Sequence, residues 1–217
     1  GFNKVLKNEG YETSFFHGAF NGSQNFHQFS TIASFDNYFG KDEYDGNHSE
    51  AEDGVWGIYD EEFLQFSVRQ MDKLPQPFFS TIFTISSHNP FRVPDRYKGK
   101  FPKGNRLVHE TVAYTDYALK KFFESAKKTD WYENTLFVIT ADHTSGDDKR
   151  DLYYLNPLGS YKIPIMVLDV GNEEFKGENS KLMSQIDILP EILQHLNYTG
   201  KFISYANIPH QNEGRMV

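Results

Sequence analysis

The sequence predicts an α/β fold, in which helices flank a mostly parallel sheet, from three observations. Segments with a helical spacing of apolar residues alternate along the chain with short strand-like segments. The clearest strand segment, Pro77 to Ile85, is a near-continuous run of apolar and β-branched residues, which is typical of a strand covered on both faces. Several such runs end in polar residues and a histidine. Alternation of this kind is characteristic of a parallel sheet with helical connections.

Each predicted element has a local reason. Gly10 ends the first helix, Asp60 is a favourable N-cap, and Pro190 is tolerated in the first turn of the last helix. We expect the last three strands to be neighbours in one mixed sheet. In chain order, helices are predicted at Asn3 to Asn8, Tyr59 to Leu74, Arg106 to Lys127 and Ser184 to Leu196, strands at Tyr11 to Phe16, Pro77 to Ile85, Thr135 to Thr140 and Lys162 to Val170, and a long surface excursion at Gly22 to Ser49.

The composition limits the classes of function. The 217 residues are enough for one large domain, and 38% of them are hydrophobic. The formal net charge of -8 argues against non-specific binding to nucleic acid or anionic lipid. Because the chain has no cysteine, disulfides, thiolate metal sites and a cysteine nucleophile are excluded within it. No apolar run approaches the roughly 20 residues that span a bilayer, and the start at Gly1, inside a helix-to-strand segment, predicts a fragment of a longer protein.

Three of the 8 histidines lie where predicted strands end. His17 follows the first strand, His88 follows the second, and His143 follows the third. Because the carboxyl ends of parallel strands meet at one edge of a sheet, the three rings are expected to converge there. His88 and His143 in particular are expected to share one sheet edge.

The adjacent residues Asp142 and His143 have two interpretations. A carboxylate oxygen and an imidazole nitrogen are suitable ligands for Zn²⁺ or Mn²⁺. Adjacent strand residues point in opposite directions, so both reach one metal only if the backbone turns there, which the small residues from Thr144 to Gly146 permit. The alternative is that Asp142 caps a turn and His143 is a surface histidine. In either case, one Asp and one His do not complete a metal site.

His88 lies in the segment SSHNPF, directly after a predicted buried strand. Asn89 precedes a proline and is therefore restricted towards extended conformations, which stiffens the loop. An imidazole there is suited to hydrogen-bond a phosphate or sulfate oxygen, or to carry a proton. An ordinary loop histidine is the alternative. We assign Trp56 to the core and Arg92 to the surface.

With these residues in hand, the chain resembles the sulfatase-like branch of the alkaline phosphatase superfamily, and within it the lipoteichoic-acid-synthase-type phosphoglycerol transferases. The resemblance covers roughly Gly10 to Leu196, in family order. It implies that residues 1–217 form the C-terminal part of a sulfatase-like catalytic domain, incomplete on its N-terminal side. The matching segments are GYETSFFHG, GIYDEEFLQFSVRQMDKLPQPFFSTIFTISSHNPF, TDYALKKFFE, WYENTLFVITADH, YKIPIMV and SQIDILPEIL.

The resemblance implies roles for particular residues. Asp142 and His143 would be two ligands of a divalent metal ion, with Mn²⁺ expected first and Zn²⁺, Mg²⁺ or Ca²⁺ as alternatives. His88 would contact the phosphate group of the substrate, and His17 would be a further substrate-binding residue. The family's nucleophilic threonine and remaining metal ligands lie upstream of the segment that matches Gly1, so the isolated chain is expected to be inactive. The implied reaction of the parent is transfer or hydrolysis of a phosphate ester, of phosphoglycerol type, or of a sulfate ester.

One segment departs from the family pattern. Lipoteichoic acid synthases carry a Trp-Asn-Arg cluster that binds glycerol phosphate, whereas Gln24, Asn25 and Phe26 stand near those positions here. Asn21 or Asn25 would then contact a different head group. The alternatives are a sulfatase or phosphodiesterase that hydrolyses its ester, and a non-catalytic fragment. Because family members are commonly membrane-anchored, the resemblance implies the extracytoplasmic face of a bacterial cell membrane and a substrate that is lipid-linked there.

Overall fold

The computed structural model describes residues 2–145, 152–172, 177–178, 180 and 182–206. Within these ranges, no helix is both long and apolar enough to cross a membrane. The helices are α1 (Phe2–Asn8), α2 (Phe26–Ile32), α3 (His48–Ala51), α4 (Asp60–Met71), α5 (Leu107–Ala126), α6 (Leu152–Leu155) and α7 (Ile188–His195), and the strands are β1 (Glu12–His17), β2 (Asn37–Phe39), β3 (Phe78–Phe83), β4 (Leu136–Thr140) and β5 (Ile165–Asp169).

The first sheet places β1 between β2 and β3, with all three strands parallel. β1 pairs with β3 along its whole length, from Glu12 opposite Phe78 to His17 opposite Phe83. It is buried from Thr13 onwards, as expected of a central parallel strand. The predicted α/β class, with a parallel sheet flanked by helices, is confirmed.

The second sheet pairs β4 with β5 in antiparallel orientation, and Val138 lies opposite Val167 at its centre. The expected row of three neighbouring strands is therefore only partly right. β4 and β5 are neighbours, but β3 pairs with β1 in the other sheet, and within the described ranges no ladder joins β3 to β4. The two six-residue strands β1 and β3 match in full, which the local sequence of either strand does not reveal.

β5 is more exposed than its composition predicts. Its apolar residues indicate a covered strand, yet Met166, Val167 and Leu168 are 55%, 41% and 42% exposed. The interpretation of this segment as a buried strand is therefore wrong for the described structure. The apolar composition of a strand shows that the strand can be buried, but it does not show whether another surface covers it.

One hydrophobic core supports both sheets. α4 contributes Phe66 and α5 contributes Phe122 to this core, and residues from β3 and β4 pack against it. The ring of Trp131 lies between the two sheets, with its centroid 5.7 Å from that of Phe78 in β3 and 6.4 Å from that of Phe137 in β4. Trp131 thus links the beginnings of β3 and β4.

The start of α4 differs from the prediction. The N-cap is Tyr59, and Asp60 is the first helical residue. The Asp60 carboxylate is buried, and it accepts hydrogen bonds from the backbone N–H groups of Ile85 and Ser86 at 2.9 and 3.0 Å and from the Thr115 hydroxyl at 2.7 Å. Burial raises the pKa of this carboxyl group above its usual value. Asp60 therefore ties the segment after β3 to α4 and α5 instead of capping its own helix.

Candidate active site

The backbone turns directly after β4, and the turn brings Asp142 and His143 together. Asp142 Oδ1 accepts a hydrogen bond from the His143 backbone N–H at 2.9 Å. Asp142 Oδ2 lies 3.5 Å from His143 Nε2, and the two side chains are 55% and 69% exposed. The turn therefore prevents the two side chains from pointing to opposite faces, as adjacent residues of a strand do. A carboxylate oxygen and an imidazole nitrogen lie close together at an accessible position.

The His143 ring is held in a tautomer that suits metal binding. Nδ1 lies 2.7 Å from the Thr144 carbonyl oxygen. Because a carbonyl oxygen only accepts, Nδ1 carries the proton of the neutral ring, and Nε2 of that ring has the lone pair. A tetrahedral metal with ligand distances of about 2.1 Å separates two ligand atoms by about 3.4 Å, close to the 3.5 Å between Asp142 Oδ2 and His143 Nε2. The pair thus fits two adjacent ligand positions of one divalent ion.

Hydrogen bonds from other segments fix the backbone around the pair. Gln185, just before α7, donates through Nε2 to the carbonyl oxygens of Ala141 and Asp142, at 3.1 and 2.9 Å. Thr144 Oγ1 donates to the Ser160 carbonyl oxygen at 2.6 Å. The turn is therefore anchored to two later parts of the chain, and the sequence did not single out Gln185.

Two ligands do not complete a metal site. Within the ranges that the structure describes, no third His, Asp or Glu joins Asp142 and His143 in a group able to hold a metal. A metal bound to this pair would take its remaining ligands from water or from groups outside the described residues.

His88 lies on the loop after β3, and its ring is also fixed through Nδ1. This atom lies 2.9 Å from the Asn89 carbonyl oxygen, so Nδ1 is again the protonated nitrogen. Trp56 Nε1 donates to the same oxygen at 2.7 Å, and the indole meets the imidazole edge-on with ring centroids 4.6 Å apart. Since the His88 side chain is exposed and Nδ1 is engaged, Nε2 is the atom available to a ligand.

The loop that carries Trp56 is ordered by a buried carboxylate. Asp53 Oδ1 accepts hydrogen bonds from the backbone N–H groups of Val55, Trp56 and Gly57 at 2.8, 2.7 and 3.0 Å. Arg92 reaches across from the loop after β3 and donates to the Asp53 carbonyl oxygen at 2.9 Å. Trp56 and Arg92, which we assigned to the core and the surface, instead join two loops. The Asp53-Gly54 step is the sequence signal for the turn.

The structure buries His17 at the end of β1. The residue is 3% exposed, and its ring centroid lies 4.3 Å from that of Phe26 and 5.5 Å from that of Phe83. Burial lowers the pKa of His17 to about 4, so the ring is neutral at pH 7. Nδ1 is buried and has no hydrogen-bond partner in the described part of the chain. Substrate contact by His17 stays a prediction, and it requires a movement that uncovers the ring.

Asn25 is exposed and lies at the N-cap of α2. Its φ of 61° and the φ of 49° at Gln24 place two consecutive residues in the left-handed region, which residues other than glycine adopt at a cost. The Asn25 side chain does not cap α2. Substrate contact by Asn25 also stays a prediction.

The candidate residues are thus brought together only in part. Asp142 lies against His143, and His17 lies against Phe83, the last residue of β3. The expectation that His88 and His143 share one sheet edge does not hold as stated, because β3 and β4 belong to different sheets.

The Sulfatase family model matches residues 1–198. The chain belongs to the sulfatase family. Lipoteichoic acid synthase-like YvgJ from Bacillus subtilis (strain 168) is 31% identical over 145 residues, which cover 64% of this chain and 23% of that relative. Lipoteichoic acid synthase 1 from the same bacterium is 25% identical over 200 residues, which cover 85% of this chain and 31% of that relative.

Two solved structures share this sulfatase-family fold. A protein in the alkaline phosphatase superfamily from Vibrio parahaemolyticus has a TM-score of 0.74 at 28% identity, over 88% of this chain and 46% of that one. The lipoteichoic acid synthase LtaP from Listeria monocytogenes has a TM-score of 0.82 at 21% identity, over 96% of this chain and 55% of that one. The predicted resemblance is confirmed. The chain spans less than a third of these curated relatives and about half of these solved chains.

Proposed function

We propose that the parent protein transfers or hydrolyses a phosphate ester, of phosphoglycerol type, in a reaction that depends on a divalent metal. The observation that carries this proposal is the 3.5 Å approach of Asp142 Oδ2 to His143 Nε2, with the proton of the ring held at Nδ1. Membership of the sulfatase family and similarity to proteins named lipoteichoic acid synthases support the same chemistry. Mn²⁺ is the expected ion, with Zn²⁺, Mg²⁺ and Ca²⁺ as alternatives.

The proposal gives the chain's own residues distinct tasks. Asp142 and His143 would hold the ion, which when bound would offset negative charge on the oxygens of the ester. Gln185 would keep the turn that carries them in place through its two hydrogen bonds. In its doubly protonated form, His88 would donate from Nε2 to a phosphoryl oxygen while Nδ1 stays bound to the Asn89 carbonyl oxygen.

The remaining parts of the machinery would come from the rest of the parent. We propose that residues 1–217 are the C-terminal part of a catalytic domain and that a threonine upstream of Gly1 is the nucleophile. It would form a covalent intermediate that passes its group to an acceptor alcohol or to water. The proposed location is the extracytoplasmic face of a bacterial membrane, with a lipid-linked ester as substrate.

A second candidate is hydrolysis of a different phosphate or sulfate ester. The observation that favours it is the segment Gln24 to Phe26, where the glycerol-phosphate-binding cluster of lipoteichoic acid synthases is expected. The exposed amide of Asn25 carries no charge and can both donate and accept hydrogen bonds. A non-catalytic role is the remaining alternative.

The test uses the parent protein and changes one ligand at a time. Asp142→Asn and His143→Gln are each expected to lower metal content and turnover together, and excess Mn²⁺ should restore part of the activity. His88→Ala should slow turnover while metal content stays near normal. His48→Gln, in an exposed pair with Glu52, is the matched control for loss of an imidazole.

Two results would contradict the proposal. Full metal content and turnover in Asp142→Asn would return that residue to the role of a turn cap, since Asn caps about as well as Asp. Turnover of a phosphodiester by the isolated chain would show that the nucleophile lies within these 217 residues.

A further inference from the structure

Residues 22–32, which include α2 and are called the α2 segment below, cover the end of β1. The ring centroid of Phe26 lies 4.3 Å from that of His17 and 5.0 Å from that of Phe83. Phe83 belongs to β3 and is held by the ladder with β1. Of the two phenylalanines that contact the His17 ring, Phe26 is therefore the one that a local movement can withdraw.

Hydrogen bonds join the α2 segment only to its neighbours in sequence. The Ser23 N–H donates to the Phe20 carbonyl oxygen at 2.7 Å, and the Phe35 N–H donates to the Ser30 carbonyl oxygen at 2.9 Å. In the part of the chain that the structure describes, no hydrogen bond or ion pair links residues 22–32 to a residue outside 20–35. The segment is thus not tied to the sheet by polar contacts.

Aromatic rings attach the α2 segment to the sheet instead. Phe26 and Phe29 pack against Phe15 of β1, with ring centroids 5.8 and 6.0 Å apart, and His27 stacks on Tyr38 of β2 at 4.8 Å. Only one of the seven residues of α2 is buried, and a helix of this length is marginally stable by itself in water. Loss of the ring contacts would therefore release the whole segment.

The segment lies between two points that are fixed to other parts of the chain. Before it, Asn21 Nδ2 donates to both carboxylate oxygens of Glu43, at 2.9 and 3.0 Å. After it, the Asn3 side chain of α1 donates to the Ala33 carbonyl oxygen at 3.1 Å. A movement of residues 22–32 can therefore be confined between Asn21 and Ala33.

The closed arrangement has two unfavourable features. Gln24 and Asn25 hold left-handed backbone conformations, with φ of 49° and 61°, at a cost in energy. His17 Nδ1 is buried without a hydrogen-bond partner in the described residues, a cost that a hydrated ring does not incur. Both costs can be relieved when the segment moves away, which lowers the free energy needed to open it.

We propose that the α2 segment is a lid, which covers His17 with Phe26 when closed and opens as a unit to give the substrate access to the His17 ring. The position supports this role, because His17 ends the central strand of a parallel sheet, and ligands of such sheets bind at the carboxyl ends of the strands. The proposal rests on the proposed function for the identity of the substrate, but not for the opening itself.

The first test measures how fast diethyl pyrocarbonate labels His17 in the parent protein at pH 7, by tandem mass spectrometry. Burial lowers the pKa of His17 to about 4, so the ring is neutral and access alone limits the reaction. Because a lid opens without unfolding the domain, the labelling rate should be nearly independent of urea below the unfolding transition. A rate that rises exponentially with urea from the lowest concentrations would mean that only global unfolding exposes His17, and it would overturn the proposal.

The second test weakens the attachment of the lid. Phe26→Ala is expected to speed the labelling of His17 by at least about fivefold, and Phe26→Leu, by about twofold, keeps the test decisive if the alanine variant does not fold. Phe35→Ala is the matched control, since Phe35 is also half-buried and lies 5.3 Å from Phe15 but is outside the α2 segment. It should change the rate by less than about twofold, and equal acceleration by Phe26→Ala and Phe35→Ala would overturn the proposal.

Amide hydrogen exchange separates a moving lid from a static cover. One movement exposes both the His17 ring and the backbone of α2, so exchange at residues 26–32 in Phe26→Ala should accelerate by about the same factor as the labelling. Faster labelling with unchanged exchange would show that Phe26 shields His17 without any opening, which would overturn the proposal.

Failure of this inference and failure of the proposed function have different signatures. Absence of metal-dependent turnover by the wild-type parent would remove the proposed function, whereas labelling of His17 that does not depend on urea would still support the lid. In an active parent, saturating glycerol phosphate should slow the labelling of His17 in Phe26→Ala by at least about threefold. Labelling of His48, which is exposed and pairs with Glu52, should not change. Equal labelling of His17 with and without glycerol phosphate would overturn the assignment of the lid to the substrate site.

Discussion

A histidine lies at the end of both β1 and β4, but one is buried and the other is exposed. His17 at the end of β1 is 3% exposed and neutral, in contact with Phe26 and Phe83. His143 after β4 has a side chain that is 69% exposed and lies beside Asp142. An apolar strand followed by a histidine therefore does not by itself indicate an accessible site.

The difference comes from the residues that follow each strand. Gly18 after β1 lets the chain approach α4 closely, since a Cβ there would lie 3.1 Å from Phe63 Cγ and 3.2 Å from the Ile58 carbonyl oxygen. This approach draws the end of β1 into the core. After β4, the Thr144 carbonyl oxygen turns back to accept the proton of His143, which directs the other ring nitrogen outwards.

The largest expected effect concerns Asp60, which holds the segment that follows β3, the strand paired with β1. Asp60→Ala removes the acceptor of two backbone N–H groups and of the Thr115 hydroxyl in a buried position. Because buried donors without acceptors are costly, we expect the free energy of unfolding to fall by about 3–5 kcal/mol. Urea unfolding at pH 7 measures the change.

Asp60→Asn is the matched control for this prediction. Its amide oxygen still accepts from Ile85 and Ser86, and its NH₂ group donates to the Thr115 oxygen. We expect a loss of no more than about 1 kcal/mol. Equal destabilisation by both substitutions would mean that charge, and not hydrogen bonding, holds this segment.

The next effect is a pH dependence of stability that arises from the buried His17. The pKa of His17 is lowered by burial from 6.5 to about 4, so the unfolded chain binds this proton more readily than the folded chain between those values. Its contribution to stability is complete above pH 6.5 and is lost as the pH falls towards 4. We expect a loss of about 2 kcal/mol over this window.

Substitution isolates this contribution from that of the carboxyl groups, which also titrate in acid. His17→Phe should flatten the pH dependence of the free energy of unfolding between pH 6.5 and 4. If His17→Phe leaves the pH profile unchanged, His17 is more accessible in solution than its 3% exposure indicates.

The sequence predicted the parts of this comparison that depend on local pattern. The apolar run at β4 and the adjacent Asp142 and His143 were visible, and so was the alternation of helices and strands. Pairing of β3 with β1 was not, because the partner of a strand is chosen by contacts far along the chain. Gln185 was missed for the same reason: it binds a carbonyl oxygen 43 residues earlier and leaves no local pattern.

A smaller effect is expected from Gln185, which holds the turn after β4 that carries Asp142 and His143. Gln185→Glu keeps the size of the side chain and replaces the donor for the Ala141 and Asp142 carbonyl oxygens by an acceptor. We expect Mn²⁺ affinity in the parent to fall by about fivefold, with a change in unfolding free energy below about 1 kcal/mol. Gln194→Glu, at an exposed position of α7, is the control for added charge. Unchanged affinity in Gln185→Glu would make that side chain dispensable for the turn.

The smallest effect concerns the loop after β3, where Trp56 and His88 share one acceptor. Trp56→Phe keeps an aromatic ring against the imidazole but removes the N–H that donates to the Asn89 carbonyl oxygen. His88 Nδ1 still donates to that oxygen, so the tautomer should persist while the loop loosens. We expect a loss of about 1 kcal/mol in unfolding free energy and, by ¹⁵N NMR, an imidazole that still carries its proton on Nδ1. Trp56→Ala, which also removes the ring contact, should give a mixture of tautomers. If Trp56→Phe already gives that mixture, the indole N–H is what fixes the His88 tautomer. The loop after β3 would then depend on a single side-chain hydrogen bond, whereas the turn after β4 is held by the two hydrogen bonds of Gln185.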